Sequence, residues 1–501
     1  MATTLFKRSP MLPWLLLPVM AFFSVLLAAL TGIGGGSYAV VVVLAGLIAV
    51  AGLIDYRICV AALVLVFPLT GTYFFPRKLF GLTGLNPFNV LLIFTFFSIA
   101  SYHIFSLKPR QHPRPDLLFF WPLVVALGAA VVIGSGSVHK VPAFFHLKSQ
   151  LFETRVEYFR DVFVKPMLIF AFVSIISLAV ARTQNKRVWV PVIVAGGASL
   201  SLLIAVYVVR SGAGLGALSE SSSREFLSPL GMHANELGVA LVPLFAACLF
   251  LLPALRQARS FLPALGLTLV VLLTIALTFS RAAFLATLIV GFMFAVKRKR
   301  LQWILFALIV LGSSILFAPQ PIKDRVARGF EHGYVGGRNS GADPLTAGRV
   351  GGIWKPLWSD VKAHALVGNG VHSTLWSRAA TSGEIYVTHP HNAYIRLVMD
   401  HGIAFGALVI LFLWRTWRLW RRVANDSTVD PVLRAFFEGI SVGFLAFLAQ
   451  SLSGSTLVFE STHAMFLFAI GLALGVTARP SDVTRGTSPP AVVTAAVPVA
   501  K

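Results

Sequence analysis

The sequence predicts an all-α fold: a polytopic transmembrane helix bundle of about 12 to 14 spans, with a helical subdomain on its outer face. Three observations predict it. The 501 residues are 57% hydrophobic and only 12% charged, with a mean hydropathy of +0.81, more apolar surface than a soluble core can hide. The apolar residues fall in blocks of about 17 to 23, the length a helix needs to cross roughly 30 Å of hydrocarbon. A membrane β-barrel would instead show short alternating strands.

In chain order the candidate spans are 11–30, 37–54, 58–75, 88–107, 116–134, 164–181, 188–209, 236–254, 261–279, 282–296, 302–318, 394–414, 434–456 and 462–477. Two pairs have almost no loop between them, one around Asp55-Tyr56-Arg57 and one around Ser280-Arg281. Each reads as a tight hairpin or as one broken, re-entrant element. Lys7 and Arg8 precede the first span and no small-residue cleavage site follows it, so it is expected to be retained.

Short basic stretches at Lys7-Arg8, 108–114, 182–187, 256–259, 297–300 and 415–422 fall on alternate turns. The positive-inside rule assigns them, and both termini, to the cytoplasm. The segments 135–163, 210–235 and 319–392 then lie outside. The chain divides into an N-terminal bundle (1–318), an outer loop subdomain (319–392), C-terminal membrane helices (393–478) and a cytoplasmic tail (479–501) expected to be disordered.

A net charge of +23 has two sources. Cytoplasmic loops and their attraction to anionic membrane lipids account for much of it. The outer excess is different: 319–392 holds Lys323, Arg325, Arg328, Arg338, Arg349, Lys355, Lys362 and Arg378 against five acids. Cations on the side that topology disfavours point to a phosphate or pyrophosphate ligand, which arginine grips bidentately. Nucleic acid is excluded as that anion, because no recognition module or stacking platform is present. No nucleotide-binding loop occurs. Cys59 and Cys248 lie inside spans, and the outer loops hold no carboxylate cluster, so metal-independent chemistry without a cofactor is expected.

Within the outer loop, apolar positions recur every three or four residues over 349–365 and describe an amphipathic helix with its tryptophans toward the membrane interface. Pro356 kinks that helix or marks its first regular turn, and Gly368-Asn369-Gly370 stops it. The loop ends at Val387-Thr388-His389-Pro390-His391-Asn392-Ala393-Tyr394, where two imidazoles meet the start of a span. Histidine there can act as acid or base near neutral pH. Arg160, Arg224, His233 and Arg281 lie at the same outer level, and arginine so close to hydrocarbon is costly. Asp161 and Glu157 stand beside Arg160 as alternative ion-pair partners.

Several of these motifs come in a fixed order: His233-Ala234-Asn235-Glu236-Leu237-Gly238, Phe279-Ser280-Arg281-Ala282-Ala283, Arg349-x-x-x-Ile353-Trp354 with Gly368-Asn369-Gly370, His389-Pro390-His391-Asn392-Ala393-Tyr394, then Gly402. Together they resemble the O-antigen ligase family, a superfamily shared with O-antigen and exopolysaccharide polymerases. The resemblance covers roughly 220–415. It implies an inner-membrane glycosyltransferase of the C type, with both termini cytoplasmic and a periplasmic active site. Such an enzyme moves a glycan from undecaprenyl pyrophosphate to the lipid A core, without metal or nucleotide.

Carried over, the family histidine before Asn matches His391 and the arginine opening a span matches Arg281. Arg160 matches a second family arginine, and Arg349 the one opening the loop helix. The candidate catalytic set is therefore His391, Arg281 and Arg160. The candidate substrate-binding set is Arg349, His389, Asn392, Arg224, Asn235 and Tyr394, with His389 a competitor for the role of base. Two rivals stay open, a polymerase using the same donor and a transporter of anionic glycolipid. The latter should show internal repeats or charges buried midway along several spans.

Overall fold

The structure is a computed structural model that describes residues 50–76, 86–105, 116–148, 152–211, 226–257, 259–278, 280–298 and 348–478, with a few shorter stretches. The expected spans at 11–30 and 302–318, most of 37–54, the tail and Arg224 lie outside the described residues. Within these the chain is helical, apart from two small antiparallel hairpins that pair Lys78–Leu79 with Leu82–Thr83 and Gly333–Val335 with Arg338–Ser340.

The main helices are α1 (Tyr56–Val66), α2 (Pro87–Phe105), α3 (Trp121–Ser135), α4 (Lys165–Ala181), α5 (Trp189–Arg210) and α6 (Ala234–Leu255). They continue with α7 (Phe261–Leu277), α8 (Arg281–Lys297), α9 (Lys355–Ala363), α10 (Ala393–Asn425), α11 (Pro431–Gln450) and α12 (Ala464–Val476). Among the described residues six helical stretches, those holding α3, α4, α5, α6, α10 and α11, are long and apolar enough to cross a membrane. The stretches holding α1, α2, α7 and α12 are apolar but shorter.

Both tight junctions resolve into capped helix starts. Asp55 caps α1, its carboxylate accepting from the Arg57 backbone N–H at 3.0 Å and gripping the Arg57 guanidinium. Ser280 caps α8 by accepting from Ala283 N–H at 3.3 Å, so α7 and α8 are separate helices of 17 residues each.

Between membrane helices, close backbone approach replaces the hydrophobic drive. On α11, a Cβ at Gly439 would lie 2.5 Å from the Ala246 carbonyl oxygen of α6, and one at Gly443 3.1 Å from Ala246 Cβ. On α12, Gly471 and Gly475 press in the same way on Ile176 and Val180 of α4. Both are small residues spaced by four, and α6–α11 and α4–α12 are the most extensive helix pairs.

A second, smaller subdomain is built from two stretches of chain. Phe145, Phe152 and Tyr158 share a small apolar core with Ile353, Leu357 and Trp376. Each stretch contains a π-helical turn, Arg160–Val164 and Val350–Trp354, and each turn is followed by a Lys-Pro pair, Lys165-Pro166 and Lys355-Pro356. Proline cannot donate to the carbonyl four residues back and its ring crowds it, so the turn before it widens. The Lys165 and Lys355 N–H groups accordingly reach Arg160 O and Val350 O, five residues back. Pro356 thus marks the first turn of α9. Trp354 faces inward from it, contrary to the expected interfacial orientation, while Trp358 stays exposed.

The 33-residue α10 breaks at Gly402, whose φ of 63° and ψ of −176° are open essentially only to glycine. The freed backbone groups are taken up by the subdomain. Asn369 and Gly370 N–H donate to Met399 and Asp400 carbonyls at 2.8 and 3.1 Å, and Ile403 and Ala404 N–H donate to Ala365 and Leu366 carbonyls at 2.7 and 3.0 Å. Twelve residues separate Gly402 from Arg415, about 18 Å of helix. The break thus lies inside a helix long and apolar enough to cross a membrane, and in hydrocarbon every polar backbone group needs such a partner.

Candidate active site

The two-histidine bend is clamped from three sides. From the subdomain, the Trp354 indole N–H donates to the Pro390 carbonyl at 2.8 Å. Below it Asn392 caps α10, its Oδ1 accepting from Tyr394 and Ile395 N–H at 3.0 and 3.1 Å. From the side, Ala393 N–H donates to Ser451 O at 3.0 Å and the Tyr394 hydroxyl to Leu448 O at 2.8 Å. The Pro390–His391 peptide plane is therefore fixed, and His391 is held at φ +52°. For a residue with a Cβ this left-handed geometry costs about 1–2 kcal/mol and persists only where surroundings impose it.

The His389 and His391 rings lie 4.2 Å apart at 58°. They open on a cavity of about 130 Å³ whose opposite wall is His233, Asn235 and Glu236 at the start of α6, closed by the turn 451–456. Burial first, and then the neighbouring His391, Arg396, His372 and His233, hold the His389 ring well below the ordinary histidine range, so it is neutral at pH 7.

His233 caps α6, its Nδ1 accepting from Asn235 N–H at 3.3 Å while Glu236 accepts from His233 N–H at 3.0 Å. The Asn235 side-chain oxygen accepts from the buried Ser280 hydroxyl at 2.9 Å. That bond ties the start of α6 to the start of α8, where the exposed Arg281 follows Ser280 in the chain without lining the cavity. The cavity therefore brings His389, His391 and Asn235 together, with Arg281 adjoining through Ser280.

Other sequence-predicted residues are placed differently. Asn392 and Tyr394 are engaged in capping and helix contact. Arg160 donates to Asp161 at 2.9 Å and is half exposed; Asp161 lines a second cavity. Arg349 immediately precedes the second π turn and lines neither cavity.

Sequence reasoning passed over a buried cluster one turn into α10. The Arg396 guanidinium donates to Asp400 at 3.1 Å and to Ser455 O at 2.9 Å, and lies 3.4 Å from His372 Nδ1. Asp400 also accepts from the Ser373 N–H and hydroxyl at 3.0 and 2.7 Å. The signal was present in the sequence: opposite charges four apart inside an apolar span mark a site by default. His372 stands at φ +67°; it and His391 are the two non-glycine residues with positive φ among those described, and both line cavities.

Burial, with Arg396 adding to it, pushes His372 down to about 4. The unfolded chain protonates this ring near pH 6.5, so the stability it contributes is complete above about pH 6.5 and is lost as pH falls from there toward 4. A His372→Asn variant, which tolerates the left-handed backbone, is expected to flatten the decline in thermal midpoint between about pH 7 and 5. An unchanged slope in detergent would show that His372 is not a source of that decline.

Among the described residues no group of three or more His, Cys, Asp or Glu converges as a metal would require. Residues 265–411 match the family model described as O-Antigen ligase. No curated protein matches the chain. The matched segment contains Arg281, Arg349, His389, His391, Asn392 and Tyr394, together with His372, Arg396, Asp400 and Gly402; Arg160, Arg224 and Asn235 fall outside it. Over this segment the chain is similar to the O-antigen ligase family.

Proposed function

We propose that the protein is an O-antigen ligase, a glycosyltransferase that moves O-antigen glycan from undecaprenyl pyrophosphate to the lipid A core on the periplasmic face of the bacterial inner membrane. The family match supports ligase- or polymerase-type activity, and the apolar helices support a multi-pass membrane protein. The observation that carries the finer reading is the clamped bend, which holds two imidazoles against a cavity shared with Asn235, whose Ser280 partner precedes Arg281.

In this reading an acceptor sugar hydroxyl attacks the anomeric carbon of the lipid-linked glycan. The new C–O bond forms as the bond to pyrophosphate breaks, His391 takes the hydroxyl proton, and the pyrophosphate leaves with the electron pair. Arg281 meets the developing negative charge in place of a metal, while Arg160 is spent on Asp161 and Arg349 lines neither cavity. A single displacement inverts the anomeric centre. His389, kept neutral, adds no repulsion when His391 becomes protonated.

A deletion strain tests the reading. Loss of all ladder bands on a lipopolysaccharide gel, with lipid-linked polymer accumulating, is the ligase outcome. Core carrying a single repeat is the polymerase outcome and would displace the proposal. Topology is tested separately: a reporter fused at 340 is expected to read periplasmic, and one at 299 or 418 cytoplasmic. A cytoplasmic signal at 340 would remove the site from the donor's side.

The indole clamp has its own test. Trp354→Phe keeps the ring and deletes the donor, removing one hydrogen bond worth about 1 kcal/mol. Transfer is expected to fall roughly fivefold with little change in thermal midpoint. Wild-type transfer would show that the bond does not set the bend.

A further inference from the structure

Beside the histidine cavity lies a larger one, of about 380 Å³, and the two share Thr456 in their walls. Carboxyl groups of Asp161, Asp400 and Glu460 face it, with the cations Lys165 and Arg396. Both cations are answered within the wall. Lys165 Nζ lies 2.9 Å from Asp161 Oδ1, which also takes Arg160, and Arg396 is spent on Asp400 and Ser455 O. With both cations spent on carboxylates of the same wall, the cavity offers a pyrophosphate no surplus positive charge. The rest of the lining includes the rings of Phe152 and Phe459 and the Thr456 and Ser461 hydroxyls. Scattered single donors and acceptors in a largely apolar wall suit a ligand with hydroxyl edges and C–H faces.

We propose that this cavity is a binding subsite for an uncharged sugar ring, reached across the Thr456 partition from the histidines. That the ring belongs to the glycan acceptor rests on the glycosyl-transfer reading above; that the cavity binds a sugar does not. The carboxylates accept from ring hydroxyls, the aromatic faces meet the C–H surface, and the reacting hydroxyl points past Thr456 toward His391.

The test titrates the purified full-length protein in detergent with maltotriose, an uncharged trisaccharide, and separately with inorganic pyrophosphate, read by saturation-transfer NMR. Maltotriose is expected to bind, and pyrophosphate is expected not to displace it. Asp161→Asn keeps shape and one acceptor oxygen and is expected to weaken binding about tenfold, as the loss of a charge-assisted hydrogen bond predicts. Ile169→Trp fills the space from its apolar wall and is expected to abolish binding even if a polar variant folds poorly. Displacement by pyrophosphate, or binding unchanged by Ile169→Trp, would overturn the subsite. Glycan transfer without maltotriose binding would also overturn it while leaving the proposed function standing, and binding without transfer would support the subsite and remove the function.

Discussion

Replacing His391 by alanine is expected to lower glycan transfer by about 10² to 10⁴, the usual worth of a general base, with membrane insertion and thermal midpoint unchanged. The residue lines the cavity, adjoins the Asn392 cap and is held at φ +52° by bonds to the backbone on either side. Trp354, Pro390, Ala393 and Ser451 make those bonds, and all four stay in place in the variant. His391→Asn tolerates the left-handed backbone better than alanine and is expected to be as inactive, which separates loss of the base from backbone strain. His389→Ala is expected to cost less, because burial disfavours the protonated ring there. Retention of most activity by His391→Ala alongside a dead His389→Ala would exchange the two roles. Arg281→Lys is expected to restore only part of the loss in Arg281→Ala, since a point charge cannot replace a bidentate fork.

Arg396→Met is expected to destabilise the protein by about 3–5 kcal/mol, because it leaves Asp400 charged and buried without its guanidinium. Arg396 and Asp400 side chains are only 10% and 4% exposed. The loss spreads, since Arg396 also holds the Ser455 carbonyl in the turn that walls both cavities. Removing both charges, as in Arg396→Met with Asp400→Leu, is expected to recover part of the stability but not all, because Ser373 then loses its acceptor. Thermal unfolding in detergent measures both. A single variant as stable as the parent would mean that the pair does not anchor the site.

Much of this arrangement was legible in the residues. Apolar blocks placed most of the described helices within a few residues, because hydropathy and length report directly on the bilayer, but the expected 394–414 runs on to Asn425 and the expected 58–75 leaves the α-helix at Val66. Gly368-Asn369-Gly370 was readable as a helix stop, and Gly402 only as the last of the ordered family motifs. That the two interlock was not, because a contact between a loop and a helix break more than thirty residues on leaves no local period. The π turns had a readable cause in Lys165-Pro166 and Lys355-Pro356, but proline alone does not say whether a helix kinks, starts or widens. Arg160 illustrates the opposite limit: its neighbour Asp161 already offered an ion pair, and the structure forms it. Arg396 and Asp400 carry a signal of their own, two opposite charges four residues apart in an apolar span, but no period or motif of the outer loops extends to them.

The most direct measurement is transfer by the purified protein reconstituted in liposomes with undecaprenyl-pyrophosphate-linked glycan, lipid A core, excess EDTA and no nucleotide. Mass spectrometry is expected to find glycan joined to the core and undecaprenyl pyrophosphate released in equal amounts, with neither product formed by His391→Ala. Transfer that chelation abolishes and one divalent ion restores would contradict the arginine-based account, and so would intact donor carried across the membrane without cleavage.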